Sequence, residues 1–288
     1  MSPQLQPPLP LPAGLTEQKY DGGDVTLNYA IGMNSGPPII LIHGLGGMMQ
    51  EFLNVYELLK VRWRVTLVDL RGHGKSTWTT GGYKFDSYHS DIVGLMLEVI
   101  SGPAVVWGHS LGAITAMNIA AEAPDQVSAV ILEDPPMMIS SDPSHSPFLA
   151  SFKATQDLMR SNASDDEVLA TLRERAPDLK NEALERQLYR IKMNDPEIYT
   201  APVTGRQKES WDADSVLSAI KAPTLLMQAD PEVGAAVLDE HALRAMKLLS
   251  NARHIKYEGI GHGIHAALPQ KTVADVEAFV AEIVGAIT

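Results

Sequence analysis

The sequence contains no cysteine. Disulfides, thiolate metal sites and cysteine nucleophiles are therefore excluded, although either redox compartment stays open. Basic residues are scarce: 23 Lys and Arg face 35 Asp and Glu, a net charge of −12. Nucleic-acid binding runs on Lys and Arg neutralising phosphates, so no nucleic acid is expected as a partner. The same deficit disfavours anionic membrane surfaces. No apolar run approaches the roughly 20 residues that span a bilayer, so no membrane partner is expected. The nine histidines show neither an HExxH pattern nor tight metal-ligand spacing. The stretch Gly44-Leu45-Gly46-Gly47 is not the GxGxxG of a dinucleotide site. Residues 69–76 lack the P-loop spacing and read as a loop pinned by its own hydrogen bonds. No metal and no cofactor are expected.

What is present is an ordinary globular composition, 45% hydrophobic over 288 residues. That is enough to bury a full core. The first 12 residues carry five prolines and no basic cluster. Residues 1–14 are expected to form a flexible Pro-rich arm rather than a secretion leader, and the cytoplasm is the expected compartment. Short apolar runs at 38–42, 64–70, 103–107, 127–132, 223–227 and 252–257 read as strands, with 25–29 as an antiparallel edge strand. Helical patterns at 51–60, 85–100, 111–123, 238–249 and 270–287 alternate with them. The last has a stripe of Val273, Val276, Phe279, Val280, Ile283, Val284 and Ile287. Alternating strands and helices imply a parallel sheet covered on both faces. Residues 137–211 break the alternation: helical patterns at 148–161, 165–175 and 181–193 follow one another behind Pro135, Pro136, Pro143 and Pro147. Ser164 and the acids after it read as a helix cap. The expected organisation is a core of residues 15–136 and 212–288 with a helical cap, or lid, over 137–211.

The chemistry centres on Gly108-His109-Ser110-Leu111-Gly112, between an apolar run and a helical pattern. In a G-x-S-x-G turn the serine sits in strained backbone at the apex, clear of the sheet. The flanking glycines let strand and helix approach. A serine hydroxyl needs a base to take its proton. His262, in the loop after the last predicted strand, stands where ligands of parallel sheets bind, and imidazole titrates near neutrality. His265 is the competing base. A carboxylate must fix the base's tautomer. The candidates are Glu133 and Asp134 at the end of one strand, and Asp230 and Glu232 after the next. Asp134 is chosen because Glu133, its neighbour, should face the opposite side of the pleat. The oxyanion donors are expected to be the backbone N–H groups of Leu111 and of Leu45, in the glycine-rich loop after residues 38–42. His43 and His109 are read as fixing their own loops. Met48, Met49, Met137, Met138, Met159 and Met193 are open to two readings, flexible pocket lining or plain core filling.

Four segments in this order carry a resemblance: His43 to Gly47, Asp69 to Ser76, Gly108 to Gly112, and Gly261-His262. The chain resembles the α/β-hydrolase superfamily over nearly everything after residue 15. The resemblance implies an eight-stranded, mostly parallel sheet, a cap after the sixth strand, and the order serine, acid, histidine. Most members place the acid after the seventh strand, often as Gly-x-x-Asp, where this chain reads Gln228-Ala229-Asp230-Pro231. Another branch places it after the sixth strand, where Asp134 stands. That branch includes haloalkane dehalogenases and lactone hydrolases similar to zearalenone hydrolase. Dehalogenases and epoxide hydrolases carry Asp at the nucleophile position, against Ser110 here.

The expected activity is cleavage of a carboxylic ester or lactone of a hydrophobic small molecule through an acyl-enzyme on Ser110. The same triad serves C–C bond hydrolysis, amide cleavage and cofactor-free perhydrolysis, so its residues do not separate these. A non-catalytic binding protein on this fold is the third reading. A homodimer through the cap helices and a purely shielding cap are both open.

Overall fold

The computed structural model describes residues 9–138 and 148–287, with side chains to residue 283. Its sheet has eight strands in the order β1-β2-β4-β3-β5-β6-β7-β8. These are β1 (Leu15–Asp21), β2 (Thr26–Gly32), β3 (Pro38–Ile42), β4 (Arg64–Val68), β5 (Ala104–His109), β6 (Val127–Glu133), β7 (Thr224–Gln228) and β8 (Ala252–Lys256). The pairs β1/β2 and β2/β4 are antiparallel, and all others are parallel.

Strand side chains divide with period two between the faces. Ile40, Ile42, Val106, Val130, Leu132 and Leu226 join one core. Ile39, Leu41, Val105, Trp107, Ile131 and Leu225 join the other. The first core is covered by α2 (His89–Val99), α3 (Leu111–Glu122), α8 (Ala213–Ala219) and α9 (Asp239–Leu248). The second is covered by α1 (Leu53–Leu59) and α11 (Pro269–Ile287). Buried on both sides, the central strands carry the continuous apolar runs that made them readable.

Two differences from the sequence reading have plain causes. The strand at 25–29 is not the edge, because β1 pairs along its length. β1, Leu-Thr-Glu-Gln-Lys-Tyr-Asp, is mostly exposed and so lacks an apolar alternation to detect. The helical pattern at 85–100 forms only from His89, since residues 84–87 make a separate turn closed by the Ser87 N–H on the Lys84 carbonyl.

Between β6 and β7 stand α4 (Leu149–Arg160), α5 (Asp165–Arg175), α6 (Asn181–Met193) and α7 (Thr200–Val203). Ser164 closes a reciprocal capping box with Glu167 at the start of α5. Val168, Leu172, Leu184 and Leu188 form a small core between α5 and α6. Of the expected arm, residues 1–8 lie outside the described residues, while Leu9 and Leu11 pack against the second core. Pro143, Pro147 and the side chains of Val284 and Ile287 also lie outside. Among the described residues no helix is long and apolar enough to cross a membrane.

Candidate active site

Ser110 follows β5 and opens α3 with φ 54° and ψ −116°. A β-carbon strained at positive φ persists only where its surroundings over-determine it. Here the Ser110 N–H donates to the Glu133 carbonyl (2.9 Å), and its own carbonyl accepts from Ala113 and Ile114. A Cβ on Gly108 would strike the Gly112 carbonyl, and one on Gly112 would strike the Ile42 carbonyl. The two glycines therefore permit the sharp turn. The serine side chain does not cap its helix, so its hydroxyl is left for other work.

His262 lies in the loop after β8 with its side chain 27% exposed. Its Nδ1–H donates to Asp134 Oδ2 at 2.7 Å. That bond leaves Nε2 as the free basic nitrogen. Asp134 follows β6, is fully buried and has φ 44°, a left-handed conformation that aspartate tolerates. Its carboxylate also accepts from the N–H groups of Ala236 (2.7 Å), Val237 (3.2 Å) and Ala229 (3.3 Å). Three fixed dipoles thus hold a buried charge in place.

Ser110 and His262 line one cavity of about 140 Å³, together with Gly44, Leu45, Glu51, His109 and Leu111. Its other walls are largely apolar and include Phe85, Phe148, Phe152 and Ile198. The loop after β3 is set by two histidines. His43 donates from Nδ1 to the Gly44 carbonyl (2.7 Å) and accepts at Nε2 from Leu70 N–H (3.0 Å). His73 accepts the Gly46 N–H (3.1 Å). A trans peptide points its N–H opposite its carbonyl, so tying down the Gly44 oxygen aims the Leu45 N–H the other way. No acceptor among the described residues takes the N–H of Leu45 or of Leu111. Burial pushes His43 down to about 4, so it stays neutral and keeps this donor–acceptor pattern. Residues 69–76 are pinned as expected: Asp69 accepts from the N–H groups of Met49 and Lys75 and from Asn28.

The competing candidates go elsewhere. Asp230 accepts from the N–H groups of Glu232 (3.0 Å) and Gly259 (2.7 Å), bracing the loops after β7 and β8, and Glu232 is exposed. Glu133 and His265 pair with each other. His265 Nδ1 meets Glu133 Oε1 at 2.8 Å, and Trp107 donates to Glu133 Oε2 at 3.0 Å. Both side chains are buried, and the His265 ring stacks on Phe52 at 4.3 Å. Burial disfavours both charges, but His265 and its hydrogen bonds overcome this and bring Glu133 down to about 2. Burial likewise opposes the His265 charge, and Glu133 overcomes it, raising His265 above its ordinary value.

His109 donates from Nε2 to the His262 carbonyl (3.0 Å), which ties the nucleophile's turn to the base's loop. Burial, then the nearby His262, push it down to about 4. None of the six methionines lines the Ser110 cavity. Met49 and Met137 fill cores, and Met159 and Met48 line separate cavities. Glu51 carried no signal in the sequence. It lines the cavity and pairs with Arg190 of α6 at 3.0 Å. Among the described residues, no three His, Asp or Glu side chains gather as a metal site.

The fold defines a class, α/β proteins with a polar constellation over the carboxyl edge of a parallel sheet. Within it the chain belongs to the alpha/beta hydrolase fold family, whose profile matches residues 37–266. It is 36% identical over 117 residues to the 2-(acetamidomethylene)succinate hydrolase of Mesorhizobium japonicum, covering 41% of this chain and 42% of that one. That match spans less than half of the relative. Over 288 residues it is 26% identical to the sn-1-specific diacylglycerol lipase ABHD11 of Mus musculus, covering 95% of this chain and 86% of the lipase. The solved enol-lactonase of Burkholderia xenovorans LB400 shares the fold, with a TM-score of 0.72 over 92% of this chain and 100% of that one at 21% identity.

Proposed function

We propose that the protein is a serine hydrolase cleaving a carboxylic ester or lactone of a hydrophobic small molecule. The observation that carries this reading is the Asp134–His262 pair on the same apolar cavity as the strained Ser110. In the proposed reaction Ser110 Oγ attacks the carbonyl carbon while His262 Nε2 takes its proton. The oxyanion forms against the N–H groups of Leu45 and Leu111. His262 then protonates the leaving alkoxide as the C–O bond breaks. Water, deprotonated by the same nitrogen, then attacks the acyl carbon, and His262 returns that proton to Ser110 Oγ as the acyl C–Oγ bond breaks and the acid leaves. Asp134 holds the imidazole in the required tautomer and stabilises its cation. Residues 137–211 act as a lid in this reading, since Phe148, Phe152 and Ile198 wall the cavity and exclude water.

Amide cleavage is the second reading. It is favoured by the relative named for an acetamido-bearing substrate, which is 36% identical over 117 residues. A panel of 4-nitrophenyl esters, lactones and anilides tests both. Ester or lactone turnover that vanishes in Ser110→Ala supports the first. Turnover of anilides but not esters transfers the assignment to the second. Ester turnover at the parent rate in Ser110→Ala refutes both.

A further inference from the structure

Five buried side-chain polar atoms lack a hydrogen-bond partner among the described residues: Gln50 Oε1, Tyr88 Oη, His89 Nδ1, His109 Nδ1 and Gln207 Oε1. Three of their residues, Tyr88, His109 and Gln207, line the Ser110 cavity. Such atoms are rare because each forfeits its hydration without replacement. Their concentration on one cavity is the signature of groups kept for a ligand. His109 belongs to the reaction end, beside Ser110. Tyr88 and Gln207 do not. The Phe85 N–H donates to the Gln207 carbonyl, and the Phe85 carbonyl accepts from Asn118 of α3. Asn118 stands eight residues beyond Ser110 on the chain, about 12 Å along the helix. The segments carrying Tyr88 and Gln207 are therefore fastened towards the far end of α3 from the nucleophile.

We propose that Tyr88 and Gln207 form a subsite for an uncharged hydroxyl on the hydrophobic body of the substrate, remote from the bond that breaks. The inference rests on the hydrolase reading above and adds to it the chemical class of the substrate. Tyr88 is 1% exposed and Gln207 4%, so neither group is served by bulk water. Burial raises the Tyr88 phenol, which keeps its O–H as a donor. Gln207 Oε1 can only accept. One hydroxyl satisfies both, accepting from Tyr88 and donating to Gln207. A ketone can accept from Tyr88 but has no O–H to donate, and would leave Gln207 Oε1 without a donor. A carboxylate would likewise offer Gln207 no donor, and it would share the cavity with the Glu51 carboxylate. The surrounding Phe85, Phe152 and Ile198 favour an apolar chain or ring between hydroxyl and ester.

The experiment compares matched esters that carry no remote group, a hydroxyl, a ketone or a carboxylate, over a series of chain lengths. One series varies the acyl part of 4-nitrophenyl esters, and another varies the alcohol part of butyrate esters. In one series kcat/KM for the hydroxyl compound should exceed the unsubstituted one by at least about tenfold. In Tyr88→Phe and Gln207→Leu that ratio should fall towards one. The Tyr88→Phe protein should melt at or above the parent temperature, since the ring is kept and an unpaired hydroxyl removed. No hydroxyl preference, a ketone or carboxylate preference, or a preference surviving both substitutions overturns the subsite while leaving the hydrolase reading intact. If the parent cleaves no ester, the ester and lactone reading fails separately. The subsite is then judged by thermal shift of the Ser110→Ala protein with the same compounds. A larger shift with the hydroxyl ester, lost in Ser110→Ala/Tyr88→Phe, sustains it, and equal shifts overturn it.

Discussion

Glu133 and Asp134 are neighbours at the end of β6, and each holds an imidazole from the segment after β8: His262 in the loop itself, and His265 in the short helix α10 (Ile264–Ala267) that follows. The contact chemistry is nearly identical, an imidazole Nδ1 on a carboxylate oxygen. What differs is surroundings. The Asp134–His262 pair opens on the cavity with Ser110, and backbone N–H groups steady its carboxylate. The Glu133–His265 pair is sealed between Trp107 and Phe52. Alternation along the strand sends adjacent acids to opposite faces, and Asp134, the first residue beyond β6, has φ 44° and carries its carboxylate to His262. A base must gain and lose its proton in every cycle. A histidine buried against a carboxylate that favours its protonated form, with no cavity or nucleophile beside it among the described residues, is not placed to do this. Carboxylate–imidazole contact therefore does not by itself mark a catalytic pair. Access and a facing nucleophile do.

The comparison predicts opposite phenotypes. On the cavity side, Ser110→Ala or His262→Gln should lower kcat on a cleavable ester by roughly 10³-fold or more, with the melting temperature little changed. Asp134→Asn should follow at about 10³–10⁴-fold, because an amide favours the wrong imidazole tautomer. Steady-state kinetics beside a thermal melt reads both quantities. On the sealed side the order inverts. Glu133→Gln leaves the His265 cation without its counter-charge and should cost about 3–5 kcal/mol in urea unfolding, while the folded fraction keeps its turnover. A Glu133→Gln protein of parental stability would dissolve the distinction.

A smaller effect sharpens it through pH. Glu133 is lowered from its ordinary 4.5 to about 2, so its contribution is complete above 4.5 and is lost as pH falls through 2. His265 is raised above its ordinary 6.5, so its contribution is complete below 6.5 and is lost as pH rises through its higher folded value. Their joint stabilisation peaks between 4.5 and 6.5. The unfolding free energy of the parent, minus that of Glu133→Gln, should shrink on both sides of that window. A difference independent of pH would show the pair uncharged.

Sequence patterns reached the cavity pair because its parts are local. Ser110 sits in a turn whose glycines are dictated by backbone contact, and His262 follows a strand. Asp134 was reached by strand alternation. Neither pairing is local, at 128 and 132 positions apart, and the sealed pair was legible only as two rejected candidates because neither Glu133 nor His265 sits in a motif that asks for a partner. β1 escaped because an exposed strand needs no apolar period. Tyr88, Gln207 and Glu51 escaped because a cavity wall gathers residues from separate elements without any shared spacing.

The most direct measurement is the rate at which a fluorophosphonate labels the protein, with the modified residue located by mass spectrometry. The account predicts a single adduct on Ser110, formed at least about 10²-fold more slowly in His262→Gln and at the parent rate in folded His265→Gln. Labelling at another residue, or equal rates in the parent and His262→Gln, would contradict it.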